Sequence, residues 1–334
     1  MINCNFERCE AAAKILTLMI VLISDETWNE QITTETQSHG LRKAMIGFVI
    51  NGSIIEKVDY TLAFLRDKTD FDHFIVNALS LLTEFLDVIQ SNKEQLLTGP
   101  SEENFIQSSI MASLRKTDFV GVFPLLDETL QRNGPIQRKG VNSPRPGKDF
   151  TKIASQGLDL LNNIATLDFD ALQEILSSEE VGIQLVHVLA NTLISTSSVY
   201  WRKEHEVEYT TALLAQLLQL VINFTRRHRI NQDRMRFDVS PLLVQLARLP
   251  FHFFLHSVFK DQLFPAIINA CYDNEPNVTL ISAELSVAWI VTYLEGLKDE
   301  RAREPGREIE REEDKEKPAA PKEKDRERPY STKT

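Results

Sequence analysis

The densest titratable cluster in the sequence is the run Glu204-His205-Glu206-Val207-Glu208. A metal ion would need His205 and a carboxylate on one helix face, and Glu208, three residues later, has that spacing. A structural zinc ion takes four ligands, however, and no second histidine lies nearby in the sequence. We therefore interpret this run as the solvated first turn of a helix and expect neither a metal site nor an acid–base site there.

The strongest cluster of positive charge is Arg226-Arg227-His228-Arg229. If helix ends stack beside one another, this run would join the other basic residues nearby in the sequence, which are Arg202, Lys203, Arg234 and Arg236. Such a patch would contact RNA phosphates or an acidic partner. The alternative is structural, because cations at the C-terminal end of a helix complement its dipole. The formal net charge of −11 argues against a general nucleic-acid binder.

Two further features with chemical potential are predicted to belong to the core. His187 lies on an apolar stripe, and we expect a neutral histidine hydrogen-bonded to the backbone. The aromatic run from Leu249 to Phe254 lies at a helix junction, where core packing is the default. It would form a docking patch for a partner only if several of its rings were exposed.

Ser143 precedes Pro144 and forms a minimal proline-directed phosphorylation site. Its neighbours Arg138, Lys139 and Arg145 are basic. A phosphate on Ser143 would pair with these cations and order the surrounding segment.

The sequence contains no signature of an enzyme or of a cofactor site. It has no Gly-rich phosphate loop, no G-x-S-x-G elbow and no H-E-x-x-H pair. Cys4 and Cys9 are separated by four residues, wider than a C-x2-C half-site, and Cys271 is far away. We therefore expect a protein without catalytic activity, cofactor or metal. A helical enzyme with a site assembled from distant residues would need a concave pocket of convergent titratable groups.

The cysteine usage and the N-terminus predict a cytoplasmic protein. Three cysteines are too few for a disulfide framework and fit a reducing compartment. The apolar run from Ala11 to Ile23 spans about 20 Å as a helix, less than the roughly 30 Å of a bilayer core. Lys14 interrupts this run, and Glu7 and Glu10 precede it. We therefore expect a buried helix there, and neither a signal peptide nor a transmembrane span.

Helical periodicity dominates the sequence. Apolar residues recur with the helical period from Phe74 to Ile89, Ile183 to Ile194, Leu213 to Phe224 and Ile281 to Thr292. The last helix should be buried on most sides, because apolar residues nearly complete its circumference. The pair Asn51-Gly52 is interpreted as a turn that ends a helix. We predict an all-α fold, an irregular armadillo- or HEAT-like stack of helix pairs (an α-solenoid), with a globular helical bundle as the alternative.

Two segments break the helical pattern. Residues 133–148 are polar and rich in proline and glycine, which predicts a flexible loop. This loop separates a predicted N-terminal helical half, residues 1–132, from a C-terminal half, residues 149–298. Residues 299–334 are rich in Glu, Arg, Lys and Pro with almost nothing apolar, which predicts a disordered charged tail.

Several stretches resemble the C-terminal helical region of the family of S phase cyclin A-associated proteins in the endoplasmic reticulum. The resemblance is carried by Leu249–Phe254, Leu263–Asn274, Thr117–Val122, Leu161–Ile175 and Asn223–Gln232, within residues 115–297. Members of that family are much longer, so the chain is interpreted as a fragment or as a short divergent form. The family's zinc-finger-like, coiled-coil and cyclin-associated segments have no counterpart in this sequence, which also lacks an Arg-x-Leu cyclin-docking triplet.

The resemblance implies that the protein acts as an adaptor between other proteins and not as an enzyme. The family is implicated in ribosome-linked decay of tubulin messages, where it bridges a tetratricopeptide factor to a deadenylase complex. The implied partners are therefore that factor, the deadenylase complex and the ribosome, with peripheral association at the endoplasmic reticulum. The resemblance does not by itself imply that this chain binds cyclin A, because the family's cyclin-associated segment has no counterpart in this sequence. An RNA-binding helical module that uses Arg226–Arg229 is the alternative function.

Overall fold

All regular secondary structure in the computed structural model is helical within the residues it describes, which are 11, 14, 15, 17, 19, 44, 46–65, 72–91, 100–117, 121–133, 148–201 and 207–303. The all-α prediction is therefore confirmed for this part of the chain. Residues 46–51 are helical and precede α1. The helices α1 to α14 are, in chain order, Ile54–Leu65, Asp72–Ser91, Pro100–Thr117, Val122–Asn133, Lys148–Leu167, Phe169–Leu176, Glu179–Trp201, Val207–Thr225, Arg229–Arg234, Leu242–Ala247, Phe251–Leu255, Ser257–Cys271, Glu275–Glu284 and Val287–Arg303.

Residues 1–285 form one compact unit, and within it the helices contact one another in two rows. In the first row α2, α5, α8 and α12 pack one upon the next, and in the second α1, α4, α7, α10 and α13 do the same. The rows are joined by pairs, α1 with α2, α4 with α5, α7 with α8, and α10 with α12. Helices from both predicted halves share this packing, since α2 contacts α5 and α4 contacts α7.

The core is centred on α8, which packs against α5, α7 and α12. Its predicted stripe is confirmed, because Leu213, Leu214, Leu217, Leu220, Val221 and Phe224 are all buried. The predicted stripe of α2, from Phe74 to Ile89, is also buried. Both helices are enclosed by neighbours, so the hydrophobic effect selects the face that their periodicity indicates.

The predicted stripe of α7 is only partly correct. Its buried positions include Leu185 and Leu189, whereas Ile183 and Ile194 are exposed. His187 lies on the exposed side, with 52% of its side chain accessible, so its prediction as a buried core histidine is wrong. Apolar residues occupy most of the circumference of α7, and neighbouring helices cover only part of it.

The last predicted stripe is divided between two helices. The backbone is extended at Leu285, with φ −129° and ψ 135°, so α13 ends there and α14 begins at Val287. Val287, Val291, Leu294 and Leu297 of α14 are all exposed. The prediction that this region is a helix buried on most sides is therefore wrong. Residues 286–334 form a second unit.

Two predictions about chain segments fall mainly outside the described residues. These are the loop, of which residues 134–147 are not described, and the tail beyond Arg303. Helix α14 extends to Arg303, past the predicted start of the tail at residue 299. The turn at Asn51-Gly52 is confirmed, since Gly52 N–H donates to the Phe48 carbonyl at 2.8 Å and residue 51 ends the helix.

No single helix among the described residues is both long and apolar enough to cross a bilayer. The segments Glu275–Glu284 and Val287–Lys298 meet that measure of length and composition only when they are counted together.

Candidate functional site

The predicted basic cluster occupies the turn between α8 and α9. Helix α8 ends at Thr225, and Arg226 and Arg227 follow it, exposed. Arg227 has φ 54°, the left-handed conformation that commonly terminates helices. His228 caps α9, where its Nδ1 accepts a hydrogen bond from Asn231 N–H at 3.4 Å. Burial, and then the charge of Arg234, lower the pKa of His228, which favours the neutral ring that such an acceptor requires.

Two arginines of the cluster are engaged with the fold. The Arg226 guanidinium lies 5.4 Å from the centre of the Phe169 ring, within the range of a cation–π contact. Arg229 donates from Nη1 to the Asp273 carbonyl at 2.6 Å and forms an ion pair with Asp233 at 3.3 Å. The cluster therefore links the turn between α8 and α9 to α6 and to the turn that follows α12, while Arg226 and Arg227 remain exposed to solvent.

Of the neighbouring basic residues, the two that the structure describes, Arg234 and Arg236, do not extend the cluster into a larger patch. Arg234 is buried and donates to the carbonyls of Leu176, at 2.9 Å, and Ser177, at 2.6 Å. Arg236 donates to Asp233 at 2.6 Å. Arg202 and Lys203 lie outside the described residues. An RNA contact at Arg226–Arg229 stays a prediction, and it would depend mainly on exposed side chains of that run.

Asp233 is the acidic centre of this region. Burial acts to raise the pKa of its carboxyl group, but hydrogen bonds from Arg236 and Asn274 and the charge of Arg229 outweigh that effect, so its pKa lies below the usual value. Asn274 Nδ2 donates to Asp233 Oδ1 at 3.0 Å. The carboxylate is thus charged and well partnered at neutral pH, and it holds α9 to the start of α13.

An apolar groove with a volume of about 790 Å³ lies between α7 and α9. Its apolar lining comes from Ile183 and Val186 of α7, Ile230 of α9 and Phe237 just after α9. Ile183, Ile230 and Phe237 are exposed by 43%, 55% and 61%. Sequence reasoning missed this groove, because it assigned Ile183 to the buried stripe and did not consider Phe237. We call it the α7–α9 groove.

Charged side chains surround the α7–α9 groove. Its acidic residues are Glu179, Asp233 and Asp238, and its permanently charged base is Arg234. His187 Nε2 lies 3.8 Å from Asp238 Oδ2, close enough for an ion pair when the histidine is protonated. Acidic side chains therefore outnumber the single arginine of the lining, which donates to the carbonyls that end α6 and also interacts with the charge of Glu179.

The aromatic run at the junction before α12 belongs to the core in part. Phe253 and Phe254 are buried, and their rings lie 5.2 Å from Phe259 and 5.7 Å from Phe264. Phe251 is exposed. The prediction of core packing is thus confirmed for Phe253 and Phe254, and these two rings do not form a docking patch.

Several residues that carry the family resemblance hold the helices together through side-chain amides. Asn223 Nδ2 donates to Asn162 Oδ1 at 3.1 Å, and Asn162 Nδ2 donates to the Gln216 carbonyl at 2.9 Å. Gln232 Nε2 donates to the Asn269 carbonyl at 2.9 Å. These amides bridge α5, α8, α9 and α12, so the residues behind the resemblance serve the fold.

The remaining predicted sites lie wholly or partly outside the described residues. Ser143, Cys4 and Cys9 are not described, nor is the run Glu204–Glu206. Cys271 is a free thiol whose pKa is raised by burial to about 11, which makes it a poor nucleophile. Among the described residues no three metal-ligating side chains come together.

No protein-family model matches the sequence. The chain is similar to a human protein (Homo sapiens), S phase cyclin A-associated protein in the endoplasmic reticulum, with 26% identity over 265 residues. The similarity covers 76% of this chain and 18% of that protein, so the chain spans about a fifth of the relative's length. The predicted resemblance is confirmed, and it extends over more residues than the predicted range 115–297. The relative's name associates that protein with cyclin A and with the endoplasmic reticulum.

Proposed function

We propose that this chain is a non-catalytic helical scaffold that binds protein partners. The observation that carries the proposal is the α7–α9 groove, where three large apolar side chains are exposed together around an open volume of about 790 Å³. Contiguous apolar surface rimmed by polar residues is typical of protein interaction sites. The charged groups Asp233 and Arg234 of the groove hold neighbouring helices, which favours binding over acid–base chemistry.

The scaffold is best understood as an irregular armadillo- or HEAT-like stack. The two rows of helices in residues 1–285, joined as successive pairs, support this architecture. In such stacks each pair contacts mainly its neighbours, and extended surfaces remain available to partners.

The partners that we propose are suggested by the similarity. The relative's name points to cyclin A and to the endoplasmic reticulum. The resemblance adds the ribosome, a tetratricopeptide factor and a deadenylase complex, in the decay of tubulin messages. We propose that the chain works in the cytoplasm, peripherally at the endoplasmic reticulum, as an adaptor for such partners.

Affinity purification tests this function. The tagged full chain is purified from cell lysate, and the recovered proteins are identified by mass spectrometry against a tag-only control. We expect enrichment of ribosomal proteins together with tetratricopeptide or deadenylase subunits. Recovery of none of these, and of no cyclin A, would contradict the adaptor function.

RNA binding is the second candidate, and the exposure of Arg226 and Arg227 at one helix end favours it. Binding of a single-stranded RNA would weaken with salt, with a slope of about 0.7 per neutralised phosphate on logarithmic axes. Replacing Arg226 and Arg227 by alanine should reduce that slope by about 1.4 if each contacts one phosphate. Lys260→Ala, on α12, is the control. RNA binding that is undetectable, or that does not respond to salt, removes this candidate.

A further inference from the structure

We propose that the α7–α9 groove binds a short segment of a partner protein in which large apolar side chains are flanked by lysine or arginine. The inference rests on the proposed protein-binding function and adds the site and the chemistry of the partner. It is supported by an exposed apolar floor, by exposed acidic side chains at the rim and by hydrogen bonds that connect the walls of the groove.

The floor of the groove can accept more than one apolar side chain. Ile183, Ile230 and Phe237 are exposed and come from three places in the chain, while Val186 between them is buried. Burying such side chains against a partner is favourable, because it removes apolar surface from water. A volume of about 790 Å³ is in the usual range for a concave binding site, but it holds only a few side chains. The occupant is therefore a short segment with a few large apolar side chains.

The rim of the groove selects a positive partner. Glu179 is exposed in the first turn of α7, and Asp238 lies beside His187. Asp233 also lines the groove, but its charge is balanced by ion pairs with Arg229 and Arg236. The buried Arg234 donates to the carbonyls of Leu176 and Ser177, and its charge also interacts with that of Glu179. Glu179 and Asp238 are the exposed acidic side chains of the lining, whereas Arg234 is buried, so these two carboxylates can complement the lysine or arginine of a partner.

Hydrogen bonds connect the residues that form the walls of the groove. Arg234 ties α9 to the end of α6, and Phe237 N–H donates to the Arg234 carbonyl at 3.0 Å. Asp238 has φ 87°, and its Oδ1 accepts from Val239 N–H at 2.6 Å. These bonds hold Phe237 at the groove mouth. A preformed site loses less conformational entropy when a partner binds.

The same charges disfavour a nucleic acid in this groove. Phosphate groups would approach Glu179 and Asp238, and the one permanently charged base in the lining is buried and occupied. The whole chain carries a formal net charge of −11, which adds long-range attraction for a basic segment.

Selection from a random peptide library displayed on phage tests the inference, with the full chain immobilised. Enriched peptides are synthesised, and their affinity is measured by fluorescence anisotropy. We expect them to combine at least two large apolar residues with net positive charge. Ile230→Ser and Phe237→Ser should each weaken binding by about fivefold or more, the size of effect expected for central apolar anchors.

Matched variants separate the groove from the rest of the surface. Glu179→Lys should weaken binding about tenfold. Glu180 is the next exposed residue in the same turn, and Glu180→Lys should change the affinity by less than about twofold. Tyr272→Ser, an exposed ring outside the groove, is the apolar control. Because Ile230, Phe237 and Glu179 are exposed, circular dichroism should show unchanged helix content in all variants.

Three results would overturn the inference. They are the absence of any enriched peptide class, enrichment of neutral or acidic peptides, and binding that is unaffected by Ile230→Ser and Phe237→Ser. The purification of cellular partners is independent of this selection. If ribosomal or deadenylase proteins are recovered but no basic apolar peptide is selected, the adaptor function stands and the groove assignment fails.

Discussion

Arg234 is a charged side chain that donates hydrogen bonds to backbone carbonyls inside the protein. It passes close to the backbone of α7 at Gly182 and reaches the carbonyls of Leu176 and Ser177. The last carbonyls of a helix have no partner within it, so a buried donor at the end of α6 satisfies groups that would otherwise be costly. Burial lowers the pKa of this guanidinium, but the group remains protonated at any physiological pH.

Gly182→Ala should destabilise the protein by about 1–3 kcal/mol, since a Cβ atom there would lie 2.6 Å from Arg234 Cζ and 2.7 Å from the Leu176 carbonyl oxygen. Urea denaturation measures the change. Gly296→Ala in α14 is the control, because its Cβ meets nothing within 4 Å and alanine favours a helix by about 0.5–1 kcal/mol. Equal effects of the two substitutions would rule out the close approach of Arg234.

Asp159 of α5 and Asp87 of α2 form a repulsive pair. Burial raises the pKa of both carboxyl groups, and the charge of Asp159 raises that of Asp87 further. A folded pKa above the unfolded value means that stability falls as pH rises through these values. Asp159→Asn should therefore stabilise the protein at pH 7 by on the order of 0.5 kcal/mol, and the gain should shrink towards pH 4.

Urea midpoints at the two pH values check this effect of Asp159→Asn. Asp261→Asn, at an exposed position of α12, is the matched control. A gain that grows on acidification would show that the sign of the pKa shift is wrong.

At the scale of helices, the apolar periodicity of the sequence predicted the buried face correctly where neighbouring helices enclose an element. It predicted the buried faces of α2 and α8, which are packed on several sides. It did not predict the exposed side of α7 or the exposure of α14, because apolar residues there occupy most of the circumference. The break at Leu285 has no proline or glycine to mark it. The α7–α9 groove consequently could not be found from the sequence, since it requires knowing which apolar residues are left uncovered.

Substitution of a leucine should lower the free energy of unfolding more in an enclosed helix than in an exposed one. Leu217→Ala, at a fully buried position of α8, should cost about 2–5 kcal/mol through lost transfer energy and a residual cavity. Leu294→Ala in α14, where the side chain is exposed, should cost less than about 1 kcal/mol. Urea denaturation compares the two variants, and similar losses would contradict the exposure of α14.

At the scale of the whole molecule, residues 1–285 form a unit in which helices before and after residues 133–148 pack together. The predicted division into two helical halves reflects the polar composition of residues 133–148. The helices on either side nevertheless pack together, since α2 contacts α5 and α4 contacts α7. Sequence composition marks a polar segment well, but it does not indicate that the helices on either side share one core.

A chain that ends at Leu285 should therefore unfold cooperatively. We expect a single transition in urea, with a midpoint close to that of the corresponding transition of the full chain, because the contacts of α1 to α13 are retained. Circular dichroism and tryptophan fluorescence should follow the same curve. Two separate transitions within this shortened chain would mean that the two rows do not form one cooperative unit.

The segment from Phe237 to Ser240 has a practical consequence for experiments. It is a short non-helical stretch with all four residues exposed, and Val239 is fully accessible. Such a stretch is a natural cleavage point for a protease, and chymotrypsin cuts after phenylalanine. Because Phe237 also lines the groove, the rate of cleavage at this bond reports whether the groove is occupied, without any label on the protein.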